Sequence, residues 1–515
     1  MRTEPSYGNP GDILFAGDWN GNGVDTVAVY RPTTRVLYVK NSNEAGAADH
    51  TVEVGDFVAG FATTTTTVPP PPTPSNWSPP PEPPVPPIDA EIYPSDDPQA
   101  VINAHPTGTT FLVKSGIHRL WRVVPKSGQT FVGEPGAVVS GAKVLDSFEK
   151  RGAFWVATGQ TQQGSRVGQC VAGVTSCIYP EDLFFDNVLL TQVTSASALE
   201  PGSWFFNYDT DEIHLADDPT GHLIETSVEK MAFSGSAQNV EVRSLIIEKY
   251  ATPAQSAAIG VGAQFWVIQH NEVRFNHGIG IGTWNNNVIR ANYVHHNGQM
   301  GMGGQGSNVI VEFNEIAHNN TAGYNSLWEA GGTKFVKTVN LIVRGNYSHH
   351  NNGPGLWTDI DNIDTLYEDN VVMFNADAGI FHEISYDAVI RNNYVEGNGT
   401  VHQGAGILVS ESPRVEVYGN TVIGAPNSIM TWNQDRGSGA YGPHETRDVY
   451  VHDNHIELAT GHTGMAHRVG DNVRYDHNTY LIDSANAQPF SLPQQGRISR
   501  TEWQAAGQDI NSVWN

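Results

Sequence analysis

Positive charge is scarce in this chain: 28 Lys+Arg stand against 54 Asp+Glu, a formal net charge of −26. Attraction to a polyanion is therefore unfavourable, and no local basic patch offsets it, which argues against nucleic acid and anionic membrane surfaces as partners. Long apolar runs are also missing. None reaches the roughly 18 residues that a membrane span needs, so no membrane insertion is expected. Met1 is followed by polar Arg2, Thr3, Glu4 and Pro5 rather than by a secretory signal. Cysteine is limited to Cys170 and Cys177, too few for a zinc site. Their spacing closes a short loop that one disulfide could lock, with two unrelated buried thiols as the alternative.

What is plentiful is glycine, at 53 residues, and proline, at 30, in a chain of 515 with only 16% charged residues. That composition favours turns and strands and has an extracellular character, so secretion is expected, with any signal upstream of Met1. A chain this long exceeds one ordinary core, so several domains or an elongated repeat are expected. Residues 61–88 carry Thr63 to Thr67 unbroken and then twelve prolines between Pro69 and Pro87. They read as an extended polyproline linker between residues 1–60 and residues 89–515.

Ahead of that linker stands Gly17-Asp18-Trp19-Asn20-Gly21-Asn22-Gly23-Val24-Asp25, followed by strand-like Thr26 to Tyr30 and Val36 to Lys40. Oxygen side chains at alternate positions suit a hard cation such as calcium, with Asp18, Asn20, Asn22 and Asp25 as its ligands. A plain Asx-rich turn is the alternative. These residues resemble the repeats of FG-GAP and VCBS-type bacterial propellers, although Asn20 and Asn22 replace two aspartates of their calcium loop. Residues 1–60 are thus expected to be a partial β repeat, with Tyr7 to Asp12 and Val52 to Asp56 as remnants of its neighbours.

From about residue 270 an asparagine recurs at 271, 292, 314, 346, 370, 393, 420, 454 and 478. The base period is 21–24 residues, lengthened in three places. A second asparagine follows the first six by five residues, at 276, 297, 319, 351, 375 and 398. Short β-branched runs such as Asn308 to Glu312 and Asn340 to Arg344 precede the ladder, and none has helical spacing. Coils of this length, each with about three short strands, predict an all-β, right-handed parallel β-helix. At ~4.8 Å per coil the repeat spans on the order of 38 Å. The asparagines are structural, stacked at the bends. Asp97 to Ala104 reads as a helix capping the first coil, with an N-cap aspartate and proline at its first position. Together with Thr109 to Lys114, Gly116 and Pro125 to Gly133, these residues resemble the entrance to the pectate-lyase-like superfamily of parallel β-helices. That superfamily includes lyases, glycoside hydrolases, epimerases, esterases and adhesins, so the resemblance implies the fold and leaves the activity open. Residues 150–225 interrupt the coils and read as an insertion or flap.

Thirteen residues beyond the ladder asparagine lie Trp284, Gln305, Asp359 and Glu383. Two carboxylates thus fall at equivalent places on neighbouring coils, with Ser410 next in a register counted from the turn glycines. With Leu356 and Ile380 inward, strand alternation turns Trp357, Asp359, Phe381 and Glu383 outward together. Thr358 and His382 then point inward, which requires either a kink or a satisfied core histidine. Aromatic faces beside paired acids suit glycosidic bond cleavage, with Asp359 and Glu383 as the catalytic pair. A solvated acidic face, or a cation held together with Asp361, is the alternative. The coil before the pair is overlong around Ser326 to Lys334 and reads as a groove wall. It supplies Trp328 and Lys334 as substrate contacts and Glu329 as a third candidate acid or base. His350 aligns with His296 and His318, as a proton shuttle or as a stacked structural column. The absence of HxH and HxxxH spacing around them argues against a transition metal.

The expectation is a secreted, monomeric glycoside hydrolase acting on a polysaccharide, with no cofactor needed for hydrolysis. A polysaccharide lyase using Lys334 or calcium, and a glycan-binding β-helix without catalysis, are the competing readings.

Overall fold

In the computed structural model the described residues are 77–514, without Val261 and Gln403, together with the backbone of four strands nearer the N-terminus. The chain divides into two units, Met1–Pro71 and Pro72–Asn515. In the first, strands Ile13–Gly17, Thr26–Arg31, Val36–Val39 and His50–Glu53 pair antiparallel in chain order. Asp18, Asn20, Asn22 and Asp25 lie between the first two strands, outside the described residues.

The second unit is a right-handed parallel β-helix. One coil comprises the strands Leu356–Asp359, Ile363–Glu368 and Val371–Met373, and the next Ile380–Glu383, Ala388–Arg391 and Tyr394–Glu396. Each strand pairs in parallel with its counterpart one coil on. Because side chains alternate, every strand sends part of its residues to the axis. On the second face, Val343, Tyr367, Ile390, Val417, Val451 and Tyr475 form one interior column across successive register pairs, all at most 1% exposed. Burial of such columns is the main favourable contribution to the fold.

The bends are made by a residue with left-handed φ followed by a ladder asparagine. Phe313 (φ 54°) precedes Asn314, and His318 (φ 54°) precedes Asn319. Left-handed φ costs a non-glycine residue roughly 1–2 kcal/mol, and the asparagine side chain offsets this by satisfying the bend. Asn346 Nδ2 donates to Val311 O, Arg344 O and Asn370 Oδ1, while its own Oδ1 accepts from Asn314 N and Nδ2, at 2.9–3.1 Å. The first ladder runs unbroken from Asn271 to Asn478 and ends on Asp509. The second runs from Asn276 to Asn398. A helix Pro98–Ala104, N-capped by Asp97, stands at the start of the rod. Near its other end a helix Arg500–Ala505, with a Ser499/Glu502 capping box, buries Trp503.

Two boundaries differ from the sequence reading. The proline-rich segment is not a free spacer beyond residue 77. Trp77 Nε1 donates to Gly345 O at 2.6 Å, and its ring packs on Tyr347. Arg243, 2% exposed, holds Glu82 at 2.9 Å and donates to the carbonyls of Pro83 and Pro84. Proline has no N–H to donate, so its carbonyls are the groups left for an outside donor. The insertion is also wider than 150–225. It begins at the strand Ala142–Val144, which pairs with Ile224–Ser227, and it carries a second small sheet of five strands. Within it Cys170 and Cys177 form a disulfide, and the backbone of Cys170 makes an isolated antiparallel β-bridge with Tyr324, in the loop between two rod strands.

Candidate active site

All three lengthened coils place their extra residues around one face. Residues 320–330 precede the strand Gly331–Arg344, residues 399–404 precede Ile407–Ser410, and residues 434–446 follow Asn427–Asn433. They enclose a cleft of about 130 Å³ whose lining includes Leu327, His402 and Arg436, one from each insertion. Its floor is the outward side of the first-face strands, with Trp357, Phe381, Leu408, Glu383, Ser410 and Trp432.

Asp359 and Glu383 pair directly across adjacent coils, and Glu383 pairs in turn with Ser410. Adjacent strands lie ~4.8 Å apart, so the two carboxyls are close neighbours. Their surroundings differ. Lys334 Nζ sits 2.8 Å from Asp359 Oδ2, both side chains being below 10% exposed. Asp359 Oδ1 is buried and has no hydrogen-bond partner among the described residues, and of the two acids only Glu383 lines the cleft, with Asp359 and Lys334 lying behind its wall. Burial pushes the Glu383 carboxyl up to about 7, the negative charge of Asp359 acts in the same sense, and Arg436 opposes both. Arg436 Nη1 donates to Glu383 Oε1 at 2.9 Å and lies 3.9 Å from buried Glu411. Glu411 is held by Ser410 Oγ and by the backbone N–H of Gln434. Asp377 also lines the cleft, and burial raises its carboxyl.

The aromatic residues read as substrate contacts differ in how far they reach the cleft. Trp357 is only 3% exposed, with Lys334 Nζ 4.1 Å from its ring centroid and Phe381 stacked at 5.5 Å and 8°. It supports the site from beneath, and the half-buried Phe381 and Trp432 present ring surface to the cleft. The strand does not kink at His382: register is continuous from Leu356 to Asp359, and the histidine lies fully buried. Its Nδ1 contacts Thr358 Oγ1 at 2.8 Å, its Nε2 has no partner among the described residues, and burial lowers it to about 3.

Several predicted site residues lie elsewhere. Glu329 ends the short helix Ser326–Glu329 and accepts from Gln255 Nε2 at 2.6 Å, so its carboxylate is occupied outside the cleft lining. Trp328 stacks on Tyr324 in a cluster with the disulfide, and its carbonyl faces Lys334 at 3.4 Å. Trp284 folds onto the interior core, and Gln305 accepts at its carbonyl from Thr283. Asp361, at φ 58°, accepts from Ala440 N and contacts His444 Nε2 at 3.1 Å, which ties down the excursion that carries Arg436. His350 follows the third-face strand Tyr347–His349 and stacks with His318 at 5.2 Å. Burial and the neighbouring imidazoles hold His296 and His318 down at about 4.

Arg436, Asp377 and Glu411 were not assigned from sequence. Only the length of the coil between Asn420 and Asn454 signals the insertion that brings Arg436 to the acids.

Comparison with known proteins bears on the fold. Residues 257–422 match the model of the right-handed β-helix region. No protein of curated function matches the chain in sequence. Among solved structures, that of XylC in complex with xylose is 14% identical, with 81% of this chain and 82% of that one covered at a TM-score of 0.64. The A-module of the Azotobacter vinelandii mannuronan C-5 epimerase AlgE6 is 14% identical, covering 81% and 94%, at 0.46. A mannuronic acid specific polysaccharide family 6 lyase from human gut microbiota is 12% identical, covering 78% and 85%, at 0.46. At these identities the likeness concerns the fold.

Proposed function

We propose that the second unit is a glycoside hydrolase acting on a polysaccharide, with Asp359 as nucleophile and Glu383 as general acid and base. The observation that carries this reading is the unequal treatment of two adjacent carboxyls. Asp359 has a cation on one oxygen and, among the described residues, no partner on its buried second oxygen, whereas burial and the charge of Asp359 favour a proton on Glu383. A carboxyl raised towards neutrality beside a second carboxyl in a different environment is the pattern of an acid/base assignment. Their placement on neighbouring rungs fits the ~5–5.5 Å separation of retaining enzymes better than the ~6.5–9.5 Å of inverting ones.

In the first step Glu383 delivers its proton to the glycosidic oxygen while Asp359, turning its buried Oδ1 into the cleft as substrate binds, attacks the anomeric carbon. The C–O bond to the leaving sugar breaks and a glycosyl ester forms. In the second step the Glu383 carboxylate takes a proton from water, whose oxygen displaces Asp359 and releases the sugar. Lys334 holds the nucleophile in place, and Arg436 keeps Glu383 oriented and moderates its basicity. A cleft of about 130 Å³ falls below the ~300–1,000 Å³ of pockets for drug-sized ligands, which suits one sugar ring with the remaining chain outside. XylC was solved with xylose, which makes xylose-containing glycans the first substrates to test. The lyase reading needs a free base, and Lys334 is buried and paired to Asp359. The disulfide suits an oxidising compartment, so we place the protein outside the cytosol.

The test is reducing-end release from neutral and acidic polysaccharides by wild type, Asp359→Asn and Glu383→Gln, with ultraviolet absorbance of unsaturated products followed in parallel. Cleavage without such absorbance, lost in both variants, is expected. A rise in absorbance would replace the hydrolase by a lyase, and silence across the panel would favour glycan binding alone.

A further inference from the structure

At the end of the third strand and on the turn after it, three successive coils bring together five histidines: His295, His296, His318, His349 and His350. The His318 ring stacks on His296 at 5.1 Å and on His350 at 5.2 Å, and meets His349 edge-on at 5.6 Å. One ring nitrogen from each of His318, His349 and His350 lies within 4.8 Å of the other two. His349 Nδ1 and His350 Nδ1 are already 3.0 Å apart. His349 is buried at 4% exposure, whereas His318 and His350 are half-buried, so the cluster is both pre-formed and reachable from solvent.

A carboxylate completes the arrangement. Glu315 Oε1 lies 3.3 Å from His349 Nε2, the nitrogen that faces away from His350. A carboxylate on the far nitrogen of an imidazole fixes its tautomer and leaves the near lone pair free for a metal. The same unit recurs at His295, with Glu272 Oε1 at 3.2 Å on Nε2 and His296 Nδ1 at 2.8 Å from Nδ1.

The geometry points to a divalent transition-metal site, for zinc or copper, formed by His318, His349 and His350. A metal at ~2.0–2.1 Å from each nitrogen sets tetrahedral nitrogens ~3.3 Å apart. The His349/His350 pair therefore opens by a few tenths of an ångström, and His318 turns inward from its stack. An all-imidazole set selects such a metal over calcium or magnesium, which prefer oxygen ligands. Linear spacing hides the site because His318 and the His349/His350 pair come from consecutive coils. A bound ion crosslinks those coils where the first groove-wall insertion leaves the rod. Asn320, two residues past His318, donates to Tyr324 O and Asn352 O at that point. The ion pins the base of the wall, and the site stands independently of the acid pair.

The test uses the chelator-treated full-length chain titrated with zinc chloride by calorimetry. Binding of one equivalent with micromolar or tighter affinity is expected, together with a higher melting temperature. His318→Ala and His350→Ala should each weaken binding by about tenfold or more and remove the melting shift, while keeping the metal-free circular dichroism of wild type. If a variant fails to fold, the copper(II) electron paramagnetic resonance spectrum of wild type decides, since coupling to three imidazole nitrogens is expected. Absence of saturable binding, binding that survives both substitutions, or coupling to fewer than three nitrogens would overturn the site.

Discussion

Lys334 Nζ bonds one oxygen of Asp359 at 2.8 Å and leaves the other without a partner among the described residues, although both side chains are buried. A carboxylate so held is oriented and charge-compensated on one side only, which is what a nucleophile requires. Removing the cation leaves an uncompensated buried charge, a change worth about 3–5 kcal/mol. Lys334→Met should therefore lower both the denaturation midpoint and the turnover. The double variant Lys334→Met/Asp359→Leu should recover stability and no activity. Unchanged unfolding of the single variant would mean that the pair is solvated.

Glu383 gives the pH profile its direction. As a general acid raised to about 7, it must be protonated, so kcat should fall as pH rises through that value. Glu383→Gln should lose activity on unactivated glycans by ~10²–10⁴-fold and retain more on aryl glycosides whose leaving group needs no proton. The sign for stability follows from the same shift. The folded state holds this proton more tightly than the unfolded state, whose ordinary value is 4.5. The stabilisation is full below 4.5 and is lost as pH climbs towards 7. Denaturation midpoints of wild type and Glu383→Gln across that window should diverge accordingly.

Arg436 opposes the rise of Glu383 through its hydrogen bond and charge. Arg436→Leu should thus move the alkaline limb of the kcat profile to higher pH. An unchanged limb accompanied by a higher KM would show that Arg436 only binds substrate.

Asn346 satisfies five polar groups in two neighbouring bends. Each group left buried without a partner costs about 1–3 kcal/mol. Asn346→Ala is therefore expected to destabilise the rod severely in urea denaturation, and an unchanged midpoint would show that the ladder amides are dispensable.

Arg243 clamps the proline-rich segment through Glu82 and two proline carbonyls. In Arg243→Ala, limited proteolysis near residues 77–88 should accelerate and the fluorescence of Trp77 should shift towards that of a solvated indole. Equal cleavage rates would show that Trp77 alone holds the strap.

The β-helix was legible because its signal is periodic. Each coil pairs with the next at a nearly constant offset, so buried asparagines at 21–24-residue spacing report the bends directly. The same offset aligns Asp359 with Glu383 from the sequence alone, and alternation along the strand turns both outward. The insertions have no period. Where Glu329, Trp328 and Arg436 point depends on packing against Gln255, Tyr324 and Glu383, residues distant in the chain, and no local pattern records those contacts. The same holds for the proline strap, whose composition indicates extension but not the buried arginine that captures it. The histidine cluster lies between the two cases: its column was visible in the repeat, but the convergence of three ring nitrogens depends on how two coils stack. Local and repeating interactions were thus written in the order of the amino acids, while the protonation of Glu383 and the pairing of Lys334 were decided by the shared low-dielectric space that only the folded chain creates.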